Sequence, residues 1–405
     1  MKKFKLGPAT LVTAAFIGPG TVTLCSIAGA QYGYVLLWTM VLSVIITIVL
    51  QNMAAKLGLL TQKGLASIIK DEFKNPFLKI TVLILILAAI VVGNTAYEAG
   101  NISGGMLGLS AIFPNSTLKI GNLIINYQSL LIGLIACVLL WFGNHKILEK
   151  SLIGLVILMS TAFIITMFIS KPDISAVFKG LLWPKFPKKS LLTIIGLIGT
   201  TVVPYNLFLH AALVKDNWHS PKDLKFLKKD TVIAVILGGI ISSAIIITAA
   251  SSGLNNITNA ADLAKGMAPL FGSFAKYVLG IGLFAAGITS AITAPLAAAY
   301  VFTNCFGGKS DLKSPKFRAV WMVILITGVL FSSIGFKPIE IIKFAQVSNG
   351  ILLPIIAILL LWLSNRSNLL GKFKNTLIHN VFSVIIVLVI IFLSVKSMIK
   401  IINHL

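Results

Sequence analysis

Two proline-centred breaks interrupt apolar stretches of the sequence, and their residues are the strongest candidates for binding chemistry. The first break is the Gly-Pro-Gly-Thr of residues 18–21, and the second is the Val-Pro-Tyr-Asn of residues 203–206. Because proline lacks a backbone donor and clashes with the preceding turn, each break would free carbonyls and amides of a helix. Inside a membrane these groups need partners, since an unsatisfied one in hydrocarbon costs several kcal/mol. Each break alone is either a structural kink or part of a binding site.

The breaks lie in a chain whose composition is typical of a membrane protein. Of its 405 residues, 57% are hydrophobic and 11% are charged, and the mean hydropathy is +0.98. Stretches of about 18 or more apolar residues, long enough to cross a bilayer as helices, recur from end to end. They predict eleven spans, at residues 8–31, 34–55, 80–108, 123–142, 151–170, 190–213, 231–250, 269–304, 319–335, 339–363 and 377–398.

The positive charge of the chain fits a membrane protein better than a nucleic-acid-binding one. A formal net charge of +23 would suggest nucleic acid in a soluble protein. Here the basic residues lie in loops, where they set orientation and meet anionic lipid. We therefore expect the lipid bilayer, and no nucleic acid, as partner. Most Lys and Arg fall on one side of the predicted spans, which predicts a multi-pass inner-membrane protein with a cytoplasmic N-terminus.

The two breaks occupy equivalent places in the chain. Each lies about a dozen residues into its span, and each opens a set of five predicted helices. Corresponding interruptions in two halves are typical of inverted-repeat transporters that bind substrate between the halves. The pattern predicts an all-α integral membrane protein with one transport domain over residues 1–405. Its repeats would cover about residues 8–170 and 190–363, and an extra helix would cover 377–398.

Several segments resemble the NRAMP (natural resistance-associated macrophage protein) family of proton-coupled manganese and iron transporters, which have the LeuT-type fold. Residues 196–214, GLIGTTVVPYNLFLHAALV, are similar to the family's sixth-helix signature. Residues 51–65 are similar to its second-helix exit, and residues 282–293 to its eighth-helix segment. Gln346 falls where the family has a tenth-helix glutamine. The resemblance covers nearly the whole chain and implies a LeuT-type secondary transporter that works by alternating access.

The resemblance fails at the residues with which the family binds its metal. The family uses an Asp and an Asn of a first-helix DPGN motif and a Met of the sixth helix. Those positions hold Gly18, Thr21 and Val203 here, and Tyr205 replaces a histidine of the signature. Other positions match, and they are Thr200, where the family offers a carbonyl ligand, Asn206, His210 and Gln346.

Without a carboxylate, the site would hold a divalent cation only through neutral oxygens, which proteins seldom do. The amide ends of two broken helices, by contrast, favour negative charge. A small anion such as bicarbonate is therefore our first hypothesis. A divalent cation, magnesium or manganese, with or without proton coupling, is the alternative, and a small zwitterion ranks third. The candidate substrate-binding residues are Gly18, Gly20, Thr21, Thr23, Thr200, Val203, Tyr205, Asn206 and Gln346.

Two further ionisable residues fall within predicted spans and are candidates for proton coupling. Glu98 lies in the third span, where a carboxylate is costly unless it is neutralised or paired. His210 lies just beyond the second break, and histidine titrates near neutral pH. For each, a structural hydrogen bond is the alternative. The sequence has neither an H-E-x-x-H nor a G-x-S-x-G motif, so we expect no enzyme activity and no cofactor.

Overall fold

The computed structural model describes residues 17–114, 116–120, 123–143, 146–306 and 312–403. Within these residues the protein is a bundle of long apolar helices. Nine of the described helical segments are long and apolar enough to cross a membrane. Two shorter ones take the places of the predicted first and fourth spans, so all eleven predicted spans have a helical counterpart.

The helices follow one another along the chain with short connections. They are α1 (Pro19–Tyr32), α2 (Leu37–Thr61), α3 (Leu65–Glu72), α4 (Pro76–Leu87), α5 (Gly93–Ile112), α6 (Tyr127–Phe142), α7 (Lys146–Ile169), α8 (Ile174–Leu182), α9 (Leu191–Thr201), α10 (Pro204–Asn217), α11 (Leu224–Ser251), α12 (Ala260–Lys265), α13 (Ala268–Phe271), α14 (Ala275–Phe306), α15 (Pro315–Ser333), α16 (Pro338–Ser364), α17 (Ser367–Leu370) and α18 (Leu377–Ile402).

Proline begins several of these helices, including both helices that follow the breaks. α1, α4, α10, α15 and α16 each have proline in the first turn. Proline suits this position because its fixed φ is helical and the amide it lacks would have no partner there. The side chains of Asn75 and Ser314 cap α4 and α15 by accepting hydrogen bonds from first-turn amides. Pro19 and Pro204 are the first residues of α1 and α10, so each break is the start of a new helix inside the bundle.

Helix α5 is a central packing element of the bundle and also reaches the first break. It packs against α14, α15 and α16, and it also contacts α1. A Cβ atom on Gly104 of α5 would collide with the ring of Pro19 at the start of α1. A Cβ atom on Gly287 of α14 would likewise collide with the backbone of Gly105 of α5. Because Gly104 has no side chain, the backbone of α5 can lie directly against Pro19 at the first break.

The fourth span begins later than predicted, because residues 123–126 form a strand. Strand β2 (Leu123–Asn126) pairs antiparallel with β1 (Thr117–Ile120). Two of the β2 residues are β-branched isoleucines, which favour an extended chain. The side chain of Asn126 then accepts a hydrogen bond from the amide of Gln128 and caps α6. This hairpin lies between two spans and is the one departure from an all-α chain among the described residues.

The third and eighth spans also differ from their predicted limits. The third helix starts at Pro76 and contains a π-helical turn, Ala88–Val92, between α4 and α5. Such a turn inserts an extra residue into the helix, which periodicity cannot reveal. The sequence predicts the eighth span from residue 269, but a turn at Gly272, with φ of 53°, separates α13 from α14. A positive φ is readily adopted only by glycine, so the chain changes direction there.

Candidate substrate site between the two broken helices

The first break places a helix N-terminus inside the bundle. Gly18 precedes α1 with an extended backbone, at φ of −96° and ψ of −176°, and its carbonyl accepts a hydrogen bond from the amide of Val22 at 3.2 Å. The amide of Gly20, in the first turn, has no acceptor within the helix. Gly18, Gly20, Thr21 and the residues around them are buried. Residues 8–16 of the predicted first span lie outside the described residues.

The second break separates α9, which ends at Thr201, from α10, which begins at Pro204. Val203 precedes α10 in an extended conformation, at φ of −89° and ψ of 123°. The last carbonyls of α9 and the first amides of α10 therefore end at the same gap. The hydroxyl of Thr200 donates to the carbonyl of Leu197 at 2.8 Å, so this side chain is already engaged within α9.

Gln346 of α16 contacts the helices on both sides of the site, next to each of the two breaks. Its side chain lies against Gly20 of α1, where a Cβ atom would collide with the amide nitrogen Nε2. Its backbone carbonyl lies against Gly199 of α9, where a Cβ atom would also collide. The two glycines thus admit α16 between the broken helices, and only the absence of a side chain permits this approach. Three helices that are distant in sequence converge on one point.

Tyr97 of α5 is a residue of this site that the sequence analysis missed. Its ring packs edge to face on that of Tyr205, with ring centroids 5.5 Å apart and an interplanar angle of 62°. Tyr97 and Tyr205 form a buried cluster with Val203 of the second break and with Ala294 of α14. A tyrosine next to Glu98, within a segment of mostly small residues, was the available signal.

Several buried polar atoms at the breaks have no hydrogen-bond partner. The side-chain amide of Asn206 forms no hydrogen bond through either atom, and Oε1 of Gln346 and Oγ1 of Thr23 also lack partners. The hydroxyl of Tyr205 lacks a hydrogen bond of standard geometry as well. All four side chains are at most 2% exposed. Native proteins leave few such atoms unpaired, and each one calls for a ligand, an ion or water as partner.

None of the candidate substrate-binding residues is acidic. Among the described residues, no group of three or more His, Cys, Asp or Glu side chains is arranged to hold a metal ion. The polar groups at the breaks are hydroxyls, amides and backbone ends, all of them formally neutral. The site therefore presents both hydrogen-bond donors and acceptors, but no side-chain charge that would neutralise the charge of a bound ion.

The two candidates for proton coupling adjoin this site, since Glu98 follows Tyr97 in α5 and His210 lies one turn beyond Asn206 in α10. The methylene carbons of Glu98 face Gly328 of α15, Oε2 accepts a hydrogen bond from Asn101 at 3.4 Å, and Oε1 has no partner. His210 of α10 is fully buried, and neither ring nitrogen forms a hydrogen bond. The two side chains are therefore not bonded to each other. Neither has the full set of partners that a purely structural hydrogen-bonding role would supply.

Two broken helices around one buried polar gap, each at the head of five spans, are the arrangement of an inverted-repeat transporter. Solved transporter structures share this fold. The chain aligns over 96% of its length with 85% of the Eremococcus coleocola manganese transporter in complex with an aromatic bis-isothiourea substituted compound, with a TM-score of 0.74 and 21% identity. It aligns over 96% with 98% of MhsT in complex with L-phenylalanine, with a TM-score of 0.60 and 14% identity. The fold is the LeuT-type 5+5 inverted repeat.

The chain belongs to the Nramp family, because residues 9–400 match the family described as natural resistance-associated macrophage protein-like. It is 28% identical over 417 residues to the divalent metal cation transporter MntH of Yersinia pestis (strain Pestoides F), covering 99% of this chain and 96% of that relative. It is 28% identical over 386 residues to MntH of Verminephrobacter eiseniae (strain EF01-2), covering 91% and 83%. The protein is a multi-pass membrane transporter and not an enzyme.

Proposed function

We propose that this transporter carries a small anion, such as bicarbonate, by alternating access through the site at the two breaks. The observation that carries the proposal is the set of unpaired hydrogen-bonding groups at a site without any carboxylate. Asn206 and Tyr205 supply donors beside the first amides of α10, and Thr23 supplies one within α1. Each helix N-terminus adds roughly 0.3–1 kcal/mol of attraction for negative charge, and up to about 2 kcal/mol when it is partly buried.

The divalent cation is the second candidate, and the comparisons favour it over the anion. The curated relatives are named divalent metal cation transporters, and the aligned Eremococcus structure is that of a manganese transporter. In this chain a cation would depend on the last carbonyls of α9, on Oδ1 of Asn206 and on Oε1 of Gln346. Oxygen ligands of this type suit magnesium and manganese. The absence of a carboxylate at Gly18 is the reason that we rank the anion first.

Alternating access is supported by the closure of the site. The substrate-binding candidates are buried, as are Tyr97 and the glycines that pack on Gln346. A substrate can therefore reach the gap only if helices move relative to one another, which is how inverted-repeat transporters work. We propose one transport domain over residues 1–405, with repeats over about 8–170 and 190–363, an extra helix over 377–398 and a cytoplasmic N-terminus.

Proton coupling through Glu98 and His210 is part of the proposal. A carboxyl group within a span that keeps one oxygen unpaired is a typical proton site in transporters. His210 has two unpaired nitrogens and lies within the helix that starts at the second break. Movement of α10 during transport would change the surroundings of this ring.

Uptake into proteoliposomes tests the proposal. The purified protein is reconstituted and assayed with radiolabelled bicarbonate, manganese and magnesium, each with and without a pH gradient, beside protein-free vesicles. We expect bicarbonate to accumulate above its outside concentration, which a channel cannot achieve without a driving potential. Accumulation of manganese or magnesium, with no bicarbonate uptake, would establish the second candidate instead.

A further inference from the structure

A basic cavity lies at one end of the bundle, away from the two breaks. It has a volume of about 540 Å³ and is formed by the second half of α2, the start of α11, the segment that joins α17 to α18 and the start of α18. Four lysines line it, and no acidic residue is among its described lining residues. The four are Lys56, Lys228, Lys372 and Lys374.

The charges of this cavity are not neutralised by the protein. None of the four lysines forms an ion pair with a described residue. Lys56 donates a hydrogen bond to Oδ1 of Asn375 at 2.7 Å and lies near enough to Lys228 for the two charges to repel each other. Four like charges around one cavity raise the potential inside it, and an anion that enters relieves the repulsion.

The outer wall of the cavity is apolar and faces away from the protein. Ile378 and Phe382 of α18 line it and are 74% and 59% exposed. Ile48 and Val49 of α2 line the same cavity further along the bundle. The basic groups therefore lie at the ends of membrane-crossing helices, and the apolar groups continue from them along the spans. This order matches a phospholipid, whose anionic headgroup lies at the interface and whose chains lie in hydrocarbon.

We propose that this cavity binds the headgroup of an anionic phospholipid, with the acyl chains along the exposed face of α18. The lysines contact the phosphate, and Ile378 and Phe382 contact the chains. The lipid joins α2, α11 and α18, so it attaches the helix that follows the two repeats to a helix of each repeat. The site shares no residue with the gap at the broken helices and does not depend on the transported ion.

Lipid titration of the full chain tests this assignment. The protein is purified in a neutral detergent and titrated with phosphatidylglycerol, phosphatidylcholine or inorganic phosphate, and bound molecules are counted by native mass spectrometry. We expect phosphatidylglycerol to bind best. Replacement of two lining lysines, in Lys228→Gln with Lys374→Gln, should weaken its binding by about 30-fold, which corresponds to about 1 kcal/mol per lysine.

The matched control is Lys225→Gln with Lys229→Gln, which removes the same charge from α11 outside the cavity. We expect this pair to bind phosphatidylglycerol as the wild type does. The four substituted lysines are all exposed, so neither variant should disturb the core. Equal melting temperatures in lipid-free detergent will verify that both variants fold. Equal loss in the control pair would overturn the proposal, as would equal binding of phosphatidylcholine. Binding of inorganic phosphate as tight as that of the lipid would assign the cavity to a soluble anion and also refute it.

Discussion

The substitution Gly18→Asp distinguishes the two candidate substrates because it should have opposite effects on them. Gly18 is the residue before α1, and its extended backbone accepts an L side chain. Aspartate is among the preferred residues at such a position, since its carboxylate accepts hydrogen bonds from the next amides of the helix. The variant should therefore fold. Its carboxylate would occupy the amides that we assign to an anionic substrate.

The expected loss of affinity for an anion in Gly18→Asp follows from the charges and the distance between them. A carboxylate bonded to the first-turn amides of α1 would lie on the order of 4 Å from an anion that shares them. At an effective dielectric near 20, two like charges at that separation cost about 4 kcal/mol, which is roughly a thousandfold in affinity. A divalent cation at the same place would instead gain a charged oxygen ligand and bind more tightly.

The assay is uptake of bicarbonate and of manganese into proteoliposomes, run above pH 7 so that the introduced carboxylate stays ionised. Gly18→Asn is the control for size, because it has nearly the same shape without the charge. Gly64→Asp is the control for charge, because Gly64 precedes α3 with a similar extended backbone outside the site. Loss of bicarbonate uptake in Gly18→Asp alone is the expected result. Unchanged or faster bicarbonate uptake in that variant would refute the anion proposal.

Three other predictions concern single side chains. Tyr205→Phe removes one hydrogen bond to a charged substrate and should raise the apparent KM by about 10- to 150-fold, which corresponds to about 1.5–3 kcal/mol. The control variant Phe331→Ala, on the exposed surface of α15, should leave the apparent KM unchanged. Glu98→Gln and His210→Ala should flatten the dependence of transport on pH more than they change KM, and identical profiles in wild type and both variants would leave these residues structural. Gly104→Leu should destabilise the protein by several kcal/mol, because its side chain would collide with Pro19, and a melting temperature equal to that of the wild type would contradict the close packing of α5 on α1.

Much of the fold follows from local properties of the sequence. Apolar stretches predict spans because lipid requires each crossing segment to satisfy its own backbone. Proline predicts the breaks because its ring excludes the preceding helical turn. The predicted spans all have helical counterparts, and the family match confirms the resemblance drawn from residues 196–214. The sequence could not predict the hairpin at residues 117–126 or the π-helical turn, since both depend on small local differences in energy that hydropathy does not register.

The composition of the site was decided by tertiary packing. Gln346 reaches both breaks only because Gly20 and Gly199 admit α16 between α1 and α9. Tyr97 joins the site because α5 packs across the bundle, and its ring then meets that of Tyr205, which follows it by more than a hundred positions in the chain. The sequence determined which residues avoid a continuous helix, because that preference is local. Which side chains meet at the gap depends on the packing of helices distant in sequence, and only the folded structure specifies it.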